Sequence, residues 1–176
     1  MIQDSPIILR AVEPEDIELL YLWENDRKVW QVSNTLVPFS RYQLKRYIES
    51  DSGDIHAHRQ LRMMIDCRET DKQTRTVGCI DLFDFDPIHQ RAGLGILIAS
   101  AADRRQGYAY EAILQMIDYC RKVLLLHQLY CNISTNNTAS IQLFKKAGFE
   151  ITGTKKEWLR TENGWEDELL LQLLIL

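Results

Sequence analysis

Apolar residues recur three and four positions apart in two stretches of the chain. Over 108–124 this spacing holds for more than four turns and predicts a long amphipathic helix. Over 138–147 it predicts a shorter helix that Gly148 ends. Two further helices are predicted nearer the N-terminus. One opens at 13–16, where Pro14 suits a first turn, and the other covers 41–49 behind Ser40 as its cap.

Other apolar runs have the length and pattern of strands. The run 93–99 is apolar almost throughout, which is typical of a central strand buried on both faces, and its two glycines indicate a bend or a close approach. Asn163-Gly164 supplies a tight hairpin turn. The predicted strands are 7–11, 61–67, 76–85, 93–99, 129–133, 149–160 and 165–174. The element order is therefore βααβββαβαββ, with 26–39 and the segment around Gly53 expected to be irregular.

The composition fits one globular domain over 1–176. The chain has 45% apolar and 26% charged residues, and no repeat or linker divides it. A formal net charge of −4 gives no surplus of cations for a phosphate backbone, so we expect no nucleic-acid partner. The N-terminus lacks a signal-peptide pattern, and no apolar run approaches the roughly 18 residues of a membrane span. We therefore expect a cytoplasmic protein without a membrane partner.

The four cysteines lie in apolar runs and show no C-x-x-C spacing. This pattern favours small buried hydrophobic residues over a disulfide framework, a metal site or a nucleophile. The residues are Cys67, Cys79, Cys120 and Cys131.

A basic, glycine-containing loop separates the buried strand from the long helix. A helix N-terminus presents unpaired N–H groups and partial positive charge, and Gly107 allows the backbone to approach phosphate oxygens. Arg104 and Arg105 add charge. These features predict an anion site, and a solvated surface turn is the alternative.

Two motifs in this region resemble those of the GNAT superfamily of N-acetyltransferases. Arg104-x-x-Gly107-x-Ala109 is similar to the family signature Gln/Arg-x-x-Gly-x-Gly/Ala, whose amides wrap the coenzyme A pyrophosphate. The segment 137–149 is similar to the family pattern Asn-x-x-Ser/Ala-x-x-Leu-Tyr-x-x-x-Gly-Phe. The resemblance covers nearly the whole chain and is strongest to the branch of spermidine and ribosomal-protein N-terminal acetyltransferases.

The resemblance implies the GNAT fold, an α/β (α+β) architecture with a mixed, mostly antiparallel sheet of about seven strands and about four helices. It also implies acetyl-CoA as cosubstrate, held in a V-shaped gap between the strand ending at Ala99 and the strand ending at Ile133. Backbone N–H groups near Ile98 and Ala99 would steady the oxyanion. Asn137 would bond the pantetheine arm, or would simply start a helix. The implied cofactor-binding residues are Leu97, Ile98, Ala99, Arg104, Arg105, Gln106, Gly107, Tyr108, Ala109, Asn137, Ser140 and Phe144.

Two positions depart from the family pattern. Gly93 stands where relatives often carry a glutamate that deprotonates the amine. Phe144 stands at the position of the tyrosine that protonates the thiolate, and its ring has no proton to donate. Phe144 is a catalytic candidate for its position alone, and a core aromatic is the other interpretation. We expect acetyl transfer to be slower, with the thiolate leaving without help from a protein acid, since thiols have only mildly basic pKa values.

A substitute base is sought among acids near the buried strand. Asp81 and Asp84 are the candidates for base or acceptor binding, and alternation places Asp81 on the face opposite Asp84 and Asp86. Glu24, Asp26 and His89 are further candidates for acceptor binding. A solvated surface role is the alternative for each.

The leading hypothesis is acetyl transfer to a primary amine of a polyamine or diamine such as spermidine, directly within a ternary complex. One alternative is N-terminal acetylation of a ribosomal or other protein. Another is a non-catalytic acyl-CoA-binding sensor, suggested by Gly93 and Phe144. Edge strands in this family often pair subunits, which suggests a homodimer.

Overall fold

The computed structural model describes residues 5–33, 35–50, 54–70 and 73–175, in which seven strands form one sheet. Their order is β1-β2-β3-β4-β5-β7-β6. The pair β4 and β5 is parallel, and every other neighbouring pair is antiparallel. The strands are β1 Ile7–Ala11, β2 Leu61–Thr70, β3 Gln73–Asp86, β4 Arg91–Ile98, β5 Gln128–Ser134, β6 Glu150–Thr161 and β7 Gly164–Leu174. The predicted mixed, mostly antiparallel sheet is confirmed.

Six α-helices occur in the described ranges, two more than predicted. They are α1 Ile17–Glu24, α2 Arg27–Ser33, α3 Arg41–Ser50, α4 Ile55–His58, α5 Tyr108–Lys122 and α6 Thr138–Lys146. The additional helices are α2 and α4, which are too short to produce a helical period. Asp26 caps α2 by accepting the Lys28 N–H at 2.9 Å, and Asp54 accepts the N–H groups of His56 and Ala57.

Helices cover both faces of the sheet. The helix α5 buries Ala112, Ile113 and Met116 against one face, which we call the α5 face. On the opposite face, α1 and α3 bury Leu20 and Leu44 against the strands. Within the described residues, no helix is both long and apolar enough to cross a membrane.

The parallel strands β4 and β5 separate after a short contact. They pair only at Arg91, Ala92 and Gly93, whose partners are Gln128, Leu129 and Tyr130. Beyond this point β4 stays paired with β3 as far as Ile98. A wedge-shaped gap therefore opens between β4 and β5, as the sequence resemblance implied.

A β-bulge in β3 changes which acids share a face. Phe83 pairs with Gly93 and Asp86 pairs with Arg91, so three residues of β3 span two of β4. Because residues two apart on β4 share a face, Asp86 lies on the same face as Asp81, whose partner is Gly95. The prediction that alternation separates Asp81 from Asp86 was therefore wrong.

Candidate functional site

The loop between β4 and α5 has the backbone geometry of an anion site. Gly107 is the N-cap residue of α5 with a φ of +86°, and no described side chain caps this helix. The first bond into the helix runs from the Glu111 N–H to the Gly107 carbonyl at 3.1 Å. Because the preceding amides of a helix lack acceptors within it, they remain available to a ligand.

The space in front of this loop is open. A Cβ added to Gly107 would meet no atom within 4 Å. Arg105 is also left-handed, with a φ of +64°, so two residues of this loop have a positive φ. Arg104, Arg105 and Gln106 are exposed, and the Arg104 Nε donates to the Ile98 carbonyl at 3.2 Å. The residues present thus fit a phosphate group.

Arg75 holds the loop in place through Asp103, and the sequence pattern did not predict this role. Its two terminal nitrogens donate to both carboxylate oxygens of the buried Asp103, at 2.9 and 2.8 Å, while its Nε binds Glu69. Hydrogen bonds from Arg75 hold the pKa of Asp103 below its usual value. Arg75 therefore neutralises an acid that would otherwise repel an anion on the loop.

The edge of β4 facing the gap offers a different set of amides from the predicted one. The Ala99 N–H already donates to the Val77 carbonyl at 3.0 Å, so it points toward β3. Because backbone polar groups alternate between the two edges of a strand, those of Leu97 also point toward β3, and those of Ile96 and Ile98 point toward the gap. The predicted backbone contacts from Leu97 and Ala99 are corrected accordingly, and so is the oxyanion role of the Ala99 amide.

Helix α6 borders the other side of the gap. Asn137 is its N-cap residue, and its Oδ1 accepts the Ser140 N–H at 3.2 Å. The helix-start interpretation of Asn137 therefore holds, and the cap uses its Oδ1 and not its side-chain N–H groups. Phe144 is buried and packs edge-on against Phe149, with ring centroids 5.1 Å apart, as a core aromatic does.

Two acidic candidates are bound to a single arginine. Arg62 donates to both oxygens of Asp81, at 2.6 and 3.1 Å, and also to Glu24. Burial alone would lower the pKa of Arg62, but Asp81 and Glu24 hold it well above its usual value. These contacts tie α1 to the sheet, and neither Asp81 nor Glu24 is a free carboxylate as a base would require.

Asp26 and His89 also lie outside any acceptor pocket in the described structure. Asp26 is the exposed cap of α2. His89 is exposed in the turn between β3 and β4, where its backbone N–H donates to Asp86 at 3.0 Å. Their predicted substrate-binding roles receive no support from this geometry.

An open cleft of about 550 Å³ lies beside the start of the gap. The Tyr130 hydroxyl donates to Asp84 at 3.0 Å, and the Phe83 ring contacts the Tyr130 ring edge-on. Burial and the bond to Asp84 raise the pKa of Tyr130 to about 12. The lining residues are Arg59, Asp84, Asp86, Arg91, Gln128, Tyr130, Leu170 and Gln172. Of the four acids and one histidine predicted for the acceptor, only Asp84 lies here.

All four cysteines are buried and unbridged. Burial raises the pKa values of Cys120 and Cys131 to about 12, and burial followed by the charge of Asp81 raises that of Cys79. Thiols in this state are poor nucleophiles at neutral pH. The interpretation as small hydrophobic residues is confirmed.

Comparison with known proteins shows which sequences and structures this chain resembles. Residues 7–150 match the family model described as an acetyltransferase (GNAT) domain. The spermidine N(1)-acetyltransferase of Vibrio cholerae serotype O1 is 23% identical over 97% of this chain and 94% of its own length. The crystal structure of the Vibrio cholerae spermidine N-acetyltransferase with CoA and spermine superposes with a TM-score of 0.85, at 23% identity and over 98% and 97% of the two chains. A dodecameric structure of that relative gives 0.78, at 22% identity and over 97% and 95%.

Proposed function

This chain belongs to the GNAT acetyltransferase family and is an acetyl-CoA-dependent N-acetyltransferase, and we propose that it acetylates a primary amine of a small polycation such as spermidine. The observation that carries this proposal is the position of the open cleft. It begins where β4 and β5 separate, and it contains the carboxylates of Asp84 and Asp86. An ammonium group of the acceptor would bind there, next to the start of the gap.

The donor would lie along the gap itself. Its pyrophosphate would bind the N–H groups of 105–109, and Arg105 and Gln106 would flank it. The backbone groups of Ile96 and the N–H of Ile98 would pair with the pantetheine amides, because they point into the gap, whereas the Ile98 carbonyl already accepts from Arg104. Asn137 and Ser140 would contact the same arm from the start of α6. Phe144 would support this side as part of the core.

Direct transfer within a ternary complex is the mechanism that this site supports. The acceptor cleft and the donor gap meet near Gly93 and Tyr130, so amine and thioester can be held together. The buried thiols offer no nucleophile for an acetyl-enzyme. Acetyl-CoA carrying a labelled acetyl group should therefore leave no covalent label on the protein without an acceptor.

Arg59 and Arg91 favour a second acceptor class. They line the same cleft, so its charge is mixed, and Arg91 is 3.3 Å from Asp86. A protein N-terminus presents an ammonium group with carbonyl groups nearby, which suit a carboxylate beside arginines. N-terminal acetylation therefore remains the alternative acceptor chemistry.

A substrate panel separates these proposals. Purified protein is incubated with acetyl-CoA and with polyamines, diamines, amino sugars or peptides with free N-termini, and the release of coenzyme A thiol is followed. Higher kcat/KM with spermidine than with any peptide supports the polyamine proposal, and the reverse order supports the alternative. Thermal stabilisation by acetyl-CoA without thiol release from any amine would indicate a sensor.

We also propose that residues 1–176 act as one N-acetyltransferase domain and that two copies form a homodimer. The sheet ends in the edge strands β1 and β6, and edges of this kind can pair subunits. Light scattering after gel filtration measures the assembly, and a larger oligomer, as in the dodecameric relative, would replace the dimer.

A further inference from the structure

Asp84 occupies an unusual backbone position. It lies inside the bulge of β3, and its φ of +50° is left-handed. For residues other than glycine this conformation costs about 1–2 kcal/mol, and aspartate and asparagine tolerate it best. Bulges of this kind redirect a side chain, and here the redirected carboxylate lines the acceptor cleft.

Tyr130 fixes the direction of this carboxylate. Tyr130 pairs with Gly93 in the last rung before β4 and β5 separate, and its hydroxyl donates to Asp84 Oδ2 at 3.0 Å. The edge-on contact with Phe83, at 5.9 Å between centroids, restrains the Tyr130 ring. Because the phenol pKa is about 12, the hydroxyl keeps its proton at neutral pH and acts as a donor.

The other candidate carboxylates, Glu24, Asp81 and Asp86, already have strong partners. Arg62 binds Glu24 and Asp81. Asp86 accepts the N–H groups of Ile88 and His89 and lies 3.3 Å from Arg91. Asp84 Oδ2 accepts from the neutral hydroxyl of Tyr130, which leaves the other oxygen, Oδ1, for an amine.

We propose that Asp84 is the carboxylate that accepts the proton of the attacking amine, with Tyr130 as the positioning residue that directs it toward the start of the gap. This inference rests on the acetyltransferase function proposed above and supplies the base that Gly93 does not provide. The charged and titratable groups facing Asp84 across the cleft are Tyr130 from β5, Asp86 from β3, Arg91 from β4 and Arg59 from the end of α4.

The neutral amine attacks the thioester carbonyl, the N–C bond forms and the C–S bond breaks. The surplus amine proton passes to Asp84, directly or through a water molecule, and from there to solvent. Coenzyme A leaves as a thiolate and takes a proton from water, so the products are the amide and the free thiol.

Asp84→Asn and Tyr130→Phe test the two roles. Asparagine tolerates the same left-handed backbone, so the bulge should persist in Asp84→Asn. We expect its kcat to fall about 100-fold or more, with unchanged thermal stabilisation by acetyl-CoA. Tyr130→Phe should lower kcat about tenfold, since one hydrogen bond is lost. The loss should fall on kcat, with the KM for the amine unchanged, because the carboxylate is still present but is no longer directed toward the gap.

Asp118→Asn is the matched control, since it removes an exposed carboxylate on α5 that binds Arg121 and Lys122. Its kcat should stay at the wild-type value. Wild-type kcat in Asp84→Asn, or a rise in KM alone, would overturn the proposal, as would a Tyr130→Phe variant that keeps the wild-type kcat or loses only in KM. In those cases the acetyltransferase function stands. A wild-type protein that acetylates no amine would overturn both.

Discussion

The ring of Phe83 fills the space that a side chain at position 93 would need. A Cβ built on Gly93 would lie 2.1 Å from Phe83 Cε2, because the two residues are direct partners on neighbouring strands. The glycine in the central strand therefore reflects a close approach, which was one of the two interpretations drawn from its sequence. The same contact explains why this chain carries no acid at position 93.

Gly93→Ala should destabilise the protein by roughly 1–3 kcal/mol, because the ring must move in a packed strand pair. Urea unfolding measures this change. The double variant Gly93→Ala with Phe83→Leu should lose less stability than the two single changes added together, since the smaller side chain makes room for the methyl group. Strict additivity would mean that the Phe83 ring is not the obstacle.

Gly107→Val should abolish stabilisation by acetyl-CoA. The branched side chain would enter the open space before the loop and would distort the left-handed backbone that directs the amides. Differential scanning fluorimetry with and without acetyl-CoA measures the effect.

Gly164→Val is the matched control for that measurement. Gly164 begins β7 with a φ of +119°, and a Cβ there also meets nothing within 4 Å. Both variants should lower the Tm of the protein alone through backbone strain of at least about 1–2 kcal/mol. Only Gly164→Val should keep the upward shift on adding acetyl-CoA, and an equal shift in both variants would mean that the cofactor does not bind this loop.

Asp81→Asn should lower stability and leave the chemistry intact. The change weakens the two bonds from Arg62 and should cost roughly 1–3 kcal/mol, while Glu24 still binds the arginine. The kcat of the folded variant should stay within about threefold of wild type, whereas loss of a general base typically costs about 100-fold or more. Arg62→Met should be more destabilising, since it leaves two carboxylates unpaired.

The Arg75–Asp103 pair should stabilise the protein in a pH-dependent way. Because the pKa of Asp103 is lowered in the folded state, its contribution is present at neutral pH and is lost as the pH falls through the carboxyl range. The difference in unfolding free energy between wild type and Asp103→Asn should therefore shrink between about pH 7 and about pH 3.5. A difference that is the same at both pH values would show that the carboxylate charge is not involved.

Periodic patterns predicted the bounds of the strands and of the helices α5 and α6 closely. The helix predicted over 108–124 ends at Lys122, and the strand predicted over 129–133 extends one residue on either side. Their apolar residues repeat over enough turns or pairs for the period to be clear. The helices α2 and α4 were missed because each has only four to seven residues and depends on a capping aspartate.

The cofactor side of the site was more predictable than the acceptor side. Arg104, Gly107 and Ala109 lie within six consecutive residues, so their motif is visible in the sequence. The partners of the acidic residues are distant in the chain: Arg62 joins Glu24 to Asp81, and Tyr130 is 46 positions from Asp84. The bulge also reverses strand alternation after Phe83, and no local pattern marks it.

The separation of β4 and β5 has a consequence for hydrogen exchange. The amides of Ile96 and Ile98 point into the gap, whereas that of Ala99 is bonded to Val77. In the free protein the first two should exchange with deuterium faster than Ala99, although all three lie at the C-terminal end of the same apolar run, 93–99. Binding of the pantetheine arm should slow their exchange selectively, so the cosubstrate would complete the hydrogen bonding that the protein's own strands leave open.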